Sequence, residues 1–210
     1  MEIIWHGQAC LTIKGADATL ITVPYGEGIG INLPKLKADI VTLSLNDSNS
    51  FNSKAVEGEP KILSWPGEYE VRGVLLNVLS TPEGSTTGES LIFKFEMDGF
   101  RFCHLGNIRS KLPEAIIENL GDIDILFVPV GGGEVLDFKA AHEVVEQIDP
   151  RIIIPIYYQI EGLITPLNDL ELFLKEMGTH PEPQESFKIK SRVDLPAETT
   201  ELIVLMPKLG

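Results

Sequence analysis

Cysteine is scarce in this chain of 210 residues, which contains Cys10 and Cys103 and no other cysteine. Two cysteines are too few for a disulfide framework, so a small disulfide-rich scaffold is excluded. No run of about 18 apolar residues occurs, so we expect no membrane-spanning helix. The opening residues MEIIWHGQAC lack a basic region followed by a long apolar run. We therefore expect no signal peptide and a cytoplasmic protein.

Positive charge is also scarce, because 17 Lys and Arg stand against 31 Asp and Glu, which gives a net charge of −14. The basic residues are scattered along the chain and form no cluster. Such an acidic protein repels phosphate backbones and anionic lipid, so we expect neither nucleic acid nor membrane as a partner. The hydrophobic share of 43% and the charged share of 23% are ordinary for a globular protein, which excludes a disordered chain.

No Gly/Ser linker and no internal repeat divides the chain, so we expect one domain over residues 1–210. Its first half is rich in short strands, and Asp98-Gly99 between two apolar runs predicts a hairpin turn. Helical spacing of apolar residues appears in the second half, where Asp137 and Gly178 are predicted to cap helices. The predicted helices are 113–120, 137–148 and 168–177, and the strands among them are 125–130, 151–156 and 201–206.

Five segments occur in an order that is typical of one family. They are WHGQAC at 5–10, PGEYEVRG at 66–73, HLGN at 104–107, DILFVPVGG at 124–132 and PRIIIPIYY at 150–158. Together they resemble the metallo-β-lactamase-fold hydrolases, and most closely the small predicted zinc-dependent hydrolases related to ascorbate-phosphate lactonases. The resemblance implies an α/β fold of the αββα sandwich type, with two mixed sheets face to face and helices outside. It also implies zinc as the family's cofactor.

The residues at the matched metal positions depart from the family. The family's H-x-H-x-D-H motif follows a buried strand, and imidazoles and carboxylates there hold an ion that activates a bound water. A further family histidine, expected between about residues 79 and 89, is missing. The residues that stand at the remaining matched positions are Leu45, Asp47, Asn49 and Ser50 in the motif loop, Gln8 in the opening segment, Asn107 after the 104–106 turn, and Tyr157.

Leucine cannot coordinate a metal, and the amide oxygens of asparagine bind zinc weakly. Among the matched positions and their neighbours, Asp47 and His104 keep side chains that could act as ligands, and two ligands do not make a zinc site. The sequence therefore predicts no metal cofactor and a degenerate pocket. The candidate pocket residues are Gln8, Leu45, Asp47, Asn49, Ser50, His104, Asn107 and Tyr157.

Two functions follow from this comparison of residues. The first is an acidic, metal-free pseudoenzyme that acts as a non-catalytic binding or assembly protein, with a small molecule or a protein as its partner. The alternative is a hydrolase of the phosphoester, lactone or thioester class, with a divergent active site built from Asp47, His104 and Tyr157. A scaffold that has lost its metal but is otherwise intact is expected to be kept for an interface. Since relatives of this fold often form homo-oligomers, we also expect a homo-oligomer.

Overall fold

The structure is a computed structural model that describes residues 1–43, 55–81 and 90–210. Three α-helices lie within those ranges: α1 (Glu114–Leu120), α2 (Phe138–Ile148) and α3 (Leu170–Met177). None of them has the length and apolar character that crossing a bilayer requires. The strands in the same ranges are β1 (Glu2–Trp5), β2 (Leu11–Lys14), β3 (Thr19–Thr22), β4 (Leu36–Lys37), β5 (Ile40–Thr42), β6 (Val56–Glu57), β7 (Lys61–Leu63), β8 (Gly67–Val71), β9 (Val74–Thr81), β10 (Ser90–Met97), β11 (Phe100–His104), β12 (Ile125–Pro129), β13 (Ile152–Ile156), β14 (Phe187–Lys188) and β15 (Glu201–Leu202).

Two mixed sheets share one hydrophobic core. The first sheet has the order β14-β1-β2-β3-β5-β7, and the second has the order β15-β13-β12-β11-β10-β9-β8. Buried residues of both sheets, among them Trp5 and Leu20 from the first and Phe102 and Phe127 from the second, belong to the same apolar cluster. Burial of this much apolar surface is the main driving force for bringing the sheets together. The predicted sandwich is confirmed.

Aromatic rings fill the centre of the second sheet. Phe95, Phe102 and Phe127 lie on the neighbouring strands β10, β11 and β12, with ring centroids 4.7 Å and 6.2 Å apart along the row. From the first sheet, Trp5 is fully buried and packs 4.7 Å from the ring of Tyr158. Such rings bury large areas and add specific contacts, so they fix the spacing of the two sheets.

The predicted turns and caps are found where the sequence places them. The Asp137 carboxylate accepts hydrogen bonds from the first-turn N–H groups of α2, and Gly178 ends α3 with a φ of 68°. Asp98 and Gly99 both have positive φ in the β10–β11 turn. Helices α1 and α3 begin one and two residues later than predicted.

The strand predicted over 201–206 is shorter in the structure, because β15 ends at Leu202. Its parallel partner β13 contains Pro155, and the Ile203 N–H donates to the Ile153 carbonyl as the last bond of the ladder. The next bond would need an N–H at Pro155, and proline has none. The sequence prediction missed this effect of a proline on a neighbouring strand.

Parallel strands place their carboxyl ends together. Strands β3, β5 and β7 run parallel in the first sheet, and β11, β12 and β13 run parallel in the second. In open α/β sheets, ligands bind beyond the carboxyl ends of such strands. The segments that follow β3, β5, β11, β12 and β13 are therefore the region in which to look for a site.

At the opposite ends of these strands, a buried carboxylate holds two arginines. Asp124 has no exposed surface, and it accepts bonds from the Arg101 backbone N–H at 2.8 Å, the Arg192 guanidinium at 2.9 Å and the Arg101 guanidinium at 3.4 Å. Arg192 lies in the 3-10 helix Arg192–Asp194, so this carboxylate ties the C-terminal segment to the second sheet.

We expect Asp124→Asn to lower the free energy of unfolding by about 2 kcal/mol, because a neutral amide loses the charge-assisted bonds to both guanidiniums. Urea unfolding monitored by tryptophan fluorescence measures this change. The matched control is Asp122→Asn, since Asp122 pairs with the same Arg101 but its side chain is 84% exposed. An exposed pair contributes little, so the control should unfold like the parent. Equal losses of unfolding free energy in the two variants would contradict the conclusion that the buried carboxylate of Asp124 provides the stabilisation.

Candidate functional site

One backbone carbonyl joins the two sheets at the edge where the parallel strands end. After β1 the chain turns through Gly7 and Gln8, which both have positive φ. The turn brings the Ala9 carbonyl to the Thr22 hydroxyl at the end of β3, 2.8 Å away, and to His104 Nε2 at the end of β11, 3.0 Å away. The site is built around this carbonyl.

His104 is a neutral, fully bonded histidine. The Gly106 N–H donates to its Nδ1 at 3.0 Å, so the ring hydrogen must be on Nε2, from which it is donated to Ala9. Complete burial lowers the pKa of His104 to about 4. Because both ring nitrogens are engaged, this imidazole has no free lone pair to bind a metal or to accept a proton. Its place in the site is structural.

Tyr157 follows β13 and is held from two sides. Its N–H donates to the Gln8 carbonyl at 3.0 Å. The Tyr157 carbonyl lies close to Gly131. A Cβ added to residue 131 would come within 2.3 Å of the carbonyl oxygen, so only glycine fits at residue 131. Burial raises the pKa of Tyr157 to about 12, with a nearby Glu134 adding to the rise and Arg109 opposing it. The phenol therefore stays protonated at neutral pH, with a hydrogen that it is able to donate.

Three buried oxygens at this edge lack a hydrogen-bond partner among the described residues: Gln8 Oε1, Thr42 Oγ1 and Asn107 Oδ1. Gln8 is 7% exposed and Thr42 is fully buried. Gln8 precedes Ala9 and Asn107 follows Gly106, so their backbones flank the same His104 ring. An unpaired buried oxygen costs roughly 1–3 kcal/mol, which makes such groups rare in native proteins.

Backbone strain is concentrated in the same place. Gln8, Val23 and Tyr157 have φ values of 47°, 34° and 55°. A positive φ is most unfavourable for a β-branched residue such as Val23, which follows β3 and donates its N–H to the Thr42 carbonyl at 2.8 Å. The other non-glycine residues with positive φ in the described ranges occupy tight turns or a helix end: Arg72, Asp98 and Asp149. Strain of this kind is typical of functional sites.

The structure brings together four of the predicted pocket residues, namely Gln8, His104, Asn107 and Tyr157. The other four, Leu45, Asp47, Asn49 and Ser50, lie outside the described residues. Sequence reasoning did not include Thr42 or Val23 among the candidate pocket residues. The hydroxyl of Thr42 in an otherwise apolar strand was a readable signal, whereas nothing in the sequence reveals the positive φ of a valine.

The described side chains of the site do not fit a zinc ion. They offer two neutral amides, a hydroxyl, a protonated phenol and an imidazole whose nitrogens are both bonded. In the ranges 1–43, 55–81 and 90–210, no group of three His, Cys, Asp or Glu lies close enough together to hold a metal. Zinc prefers imidazole, thiolate and carboxylate ligands, so these residues are a poor coordination set.

The burial of His104 makes a testable contribution to acid stability. Its pKa is about 4 in the folded protein and 6.5 as the ordinary value, so the unfolded chain takes up a proton first as the pH falls. The stabilisation is fully present above about pH 6.5 and is lost as the pH falls to about 4, by up to about 3 kcal/mol. Urea unfolding at pH 7.5 and pH 4.5 measures this loss.

The His104→Gln side chain keeps a hydrogen-bond acceptor and a donor but cannot titrate. Between pH 7.5 and pH 4.5 this variant should therefore lose less unfolding free energy than the parent. The control is His180→Gln, which replaces an exposed histidine that bonds to Glu171. This control should keep the pH dependence of the parent. An unchanged pH dependence in His104→Gln would show that the buried imidazole is not the titrating group.

Similar proteins are known for almost the whole chain. A UPF0173 metal-dependent hydrolase of Thermoplasma acidophilum is 28% identical over 85% of this chain and 92% of its own length. A UPF0173 metal-dependent hydrolase of Thermococcus onnurineus is 29% identical over 80% and 77%. A solved structure from Thermotoga maritima, described as a proposed Zn-dependent hydrolase of the metallo-β-lactamase superfamily, superposes with a TM-score of 0.80 at 28% identity, covering 97% of this chain and 98% of that one.

These relatives correct one prediction made from the sequence. The prediction of a non-catalytic, metal-free binding or assembly protein is wrong, because the relatives that match most of the chain are named as hydrolases. Replaced ligand residues show a changed site and do not show that catalysis is lost. A model of the family described as the beta-lactamase superfamily domain matches residues 2–157. This chain belongs to the beta-lactamase superfamily.

Proposed function

We propose that this protein is a hydrolase of the beta-lactamase superfamily with a divergent active site beside the Ala9 carbonyl. The observation that carries the proposal is the coincidence of three unpaired buried oxygens with three strained residues at this one edge. A protein kept only for its scaffold gains nothing from such costs, and packing mutations could remove them. The hydrolase names of the relatives support the reaction class.

We propose Tyr157 as the group that donates a hydrogen bond to the oxygen on which negative charge develops during hydrolysis. The phenol is protonated at neutral pH, and its backbone is fixed by Gln8 and Gly131. A donor held in place before the reaction stabilises developing charge without reorganising. The sequence hypothesis that His104 takes part in acid–base catalysis is not carried forward, because both of its nitrogens are occupied. Asp47, assigned from sequence alone, is the remaining candidate for the base.

The test is a screen of phosphoester, lactone and thioester substrates, followed by Tyr157→Phe on any substrate that is turned over. Removing the single hydroxyl should lower kcat/KM by roughly a hundredfold, which is the usual effect of losing one oxyanion donor. The measurement is initial rates across substrate concentration.

Tyr158→Phe is the matched control. Tyr158 is the next residue, and its hydroxyl donates to the Leu205 carbonyl at 3.3 Å. It should leave kcat/KM unchanged. Equal rates for the parent and Tyr157→Phe on every substrate would overturn the role of Tyr157, and an absence of turnover would overturn the hydrolase proposal.

We further propose that hydrolysis here does not depend on the family's zinc, because the described site residues are a poor ligand set. Dialysis of the purified protein against a chelator should leave both kcat/KM and the melting temperature unchanged. If the protein held a catalytic or structural zinc, its removal would lower kcat/KM, the melting temperature or both. The free energy of binding the ion also stabilises the folded protein. About one tightly held zinc per chain in elemental analysis would contradict this proposal.

A homo-oligomeric assembly and a cytoplasmic location stay predictions from the sequence. Among the described residues, β7 and β8 each lie at one end of a sheet. The exposed side chains of Ile62, on β7, and Trp65, in the segment between the two strands, are consistent with an interface.

A further inference from the structure

We infer that His6 is a positioning residue of the site, through which residues 206–210 hold the turn that carries Gln8 and the Ala9 carbonyl. Residues 206–210 form the C-terminal strap, and residues 7–10 form the site turn. The model of the superfamily matches residues 2–157 and therefore assigns no role to the strap. The inference specifies what holds the proposed active site in place, so its consequence for catalysis rests on the proposed function.

The C-terminal strap is bonded to the strand that leads into the site turn. The Lys208 N–H donates to the carbonyl of Trp5, the last residue of β1, at 2.8 Å. The Gly210 N–H donates to the Asn32 carbonyl at 2.9 Å. Both bonds join backbone groups, so they hold the strap whatever side chains it carries.

His6 joins the strap to the site turn with every polar group that it has. Burial lowers the pKa of His6, and its Nδ1 donates to the Lys208 carbonyl at 2.9 Å, because that oxygen can only accept. Its Nε2 accepts from the Thr12 hydroxyl at 2.8 Å. Its N–H donates to the Cys10 carbonyl and its own carbonyl accepts from the Tyr25 hydroxyl, both at 2.8 Å. His6 is 2% exposed, so breaking one of these bonds leaves a buried group unpaired.

The site turn transmits this restraint to Tyr157. The Gln8 carbonyl accepts two hydrogen bonds, one from Trp5 Nε1 at 2.9 Å and one from the Tyr157 N–H at 3.0 Å. Lys208 therefore bonds to Trp5 and His6, and both of these residues restrain the turn that aligns the Tyr157 backbone. A misplacement of about 1 Å at a reacting group can lower a rate by about a hundredfold, so such a support matters to catalysis without touching the substrate.

His6→Leu tests the link, because leucine makes neither of the two ring bonds. Hydrogen exchange followed by NMR measures the result at the Tyr157 N–H and at the Trp5 indole N–H. Both should exchange roughly tenfold faster than in the parent, as expected when buried hydrogen bonds that hold the turn are lost. The reference is the Ile152 N–H at the start of β13, which should keep its rate. A merely structural role would accelerate exchange at all three groups alike.

His6→Asn is the conservative variant, because its side-chain N–H group replaces the donor of Nδ1. Exchange at the Tyr157 N–H should then stay within about threefold of the parent. His180→Asn replaces a histidine whose side chain is 57% exposed, and this control should leave the exchange rate unchanged. Exchange in His6→Asn as fast as in His6→Leu would contradict the role of the bond to Lys208.

Lys208→Pro tests the same link from the strap. Proline lacks the N–H that is donated to Trp5, so exchange at the Tyr157 N–H should again rise roughly tenfold. Lys208→Ala keeps both backbone groups and is the matched control, which should behave like the parent. In the double variant with His6→Leu, the increase should be smaller than the product of the two single increases, because both changes break one link. An increase equal to that product would contradict the link.

The catalytic consequence is measured on any substrate that the parent hydrolyses. His6→Leu should lower kcat roughly tenfold and alter KM much less, because His6 supports the position of Tyr157 and does not contact the substrate. His6→Asn should restore most of the lost kcat, and His180→Asn should retain the kcat of the parent.

The exchange measurements need no substrate, so they separate this inference from the proposed function. If nothing is hydrolysed, the hydrolase proposal fails and exchange still decides whether the strap holds the site turn. Exchange at Tyr157 that stays at the parent rate in both His6→Leu and Lys208→Pro, or an equal increase at Ile152, would overturn the inference and leave the hydrolase proposal standing. Faster exchange at Tyr157 with an unchanged kcat would overturn the assignment of His6 as a positioning residue.

Discussion

The Ala9 carbonyl is the point on which the arrangement of the site depends. It accepts one hydrogen bond from Thr22 in the first sheet and one from His104 in the second, so a single oxygen uses both of its lone pairs to hold the two sheets at fixed separation. The bond from His104 requires a neutral imidazole with its hydrogen on Nε2, and the Gly106 N–H enforces that tautomer. The neighbouring Gln8 carbonyl then sets the position of Tyr157.

The site makes the fold less stable than it could be. Folded domains are stable by only about 5–15 kcal/mol, and unpaired buried oxygens or a valine with positive φ each cost a noticeable part of that. The cost is offset by the stacked phenylalanines of β10, β11 and β12 and by the carboxylate of Asp124 at the opposite ends of these strands.

Sequence reasoning reached the fold, and it grouped several residues that the structure brings together, for identifiable reasons. Turn and cap chemistry is local, so Asp137 and the Asp98-Gly99 turn were predicted correctly. The motif order placed Gln8, Asn107 and Tyr157 in one pocket, and the structure brings their backbones together.

What could not be predicted depends on pairs of distant residues. The early end of β15 reflects Pro155 in another strand, and the inert character of His104 reflects bonds to residues 9 and 106. The inference from missing ligands to missing catalysis failed because a residue pattern identifies one mechanism and says nothing of another.

The proposed replacement of a metal by the Tyr157 phenol limits the reactions that such a site could accelerate. A metal ion lowers the pKa of a bound water from about 16 to about 7, which creates a strong nucleophile at neutral pH. A preorganised neutral donor contributes a rate factor of about 10²–10³ and leaves the water unactivated. A hydrolase that relies on Tyr157 in place of a metal therefore needs substrates with a low intrinsic barrier. Thioesters, strained lactones and esters with good leaving groups meet that condition, and phosphate monoesters, which are among the slowest compounds to hydrolyse unaided, do not.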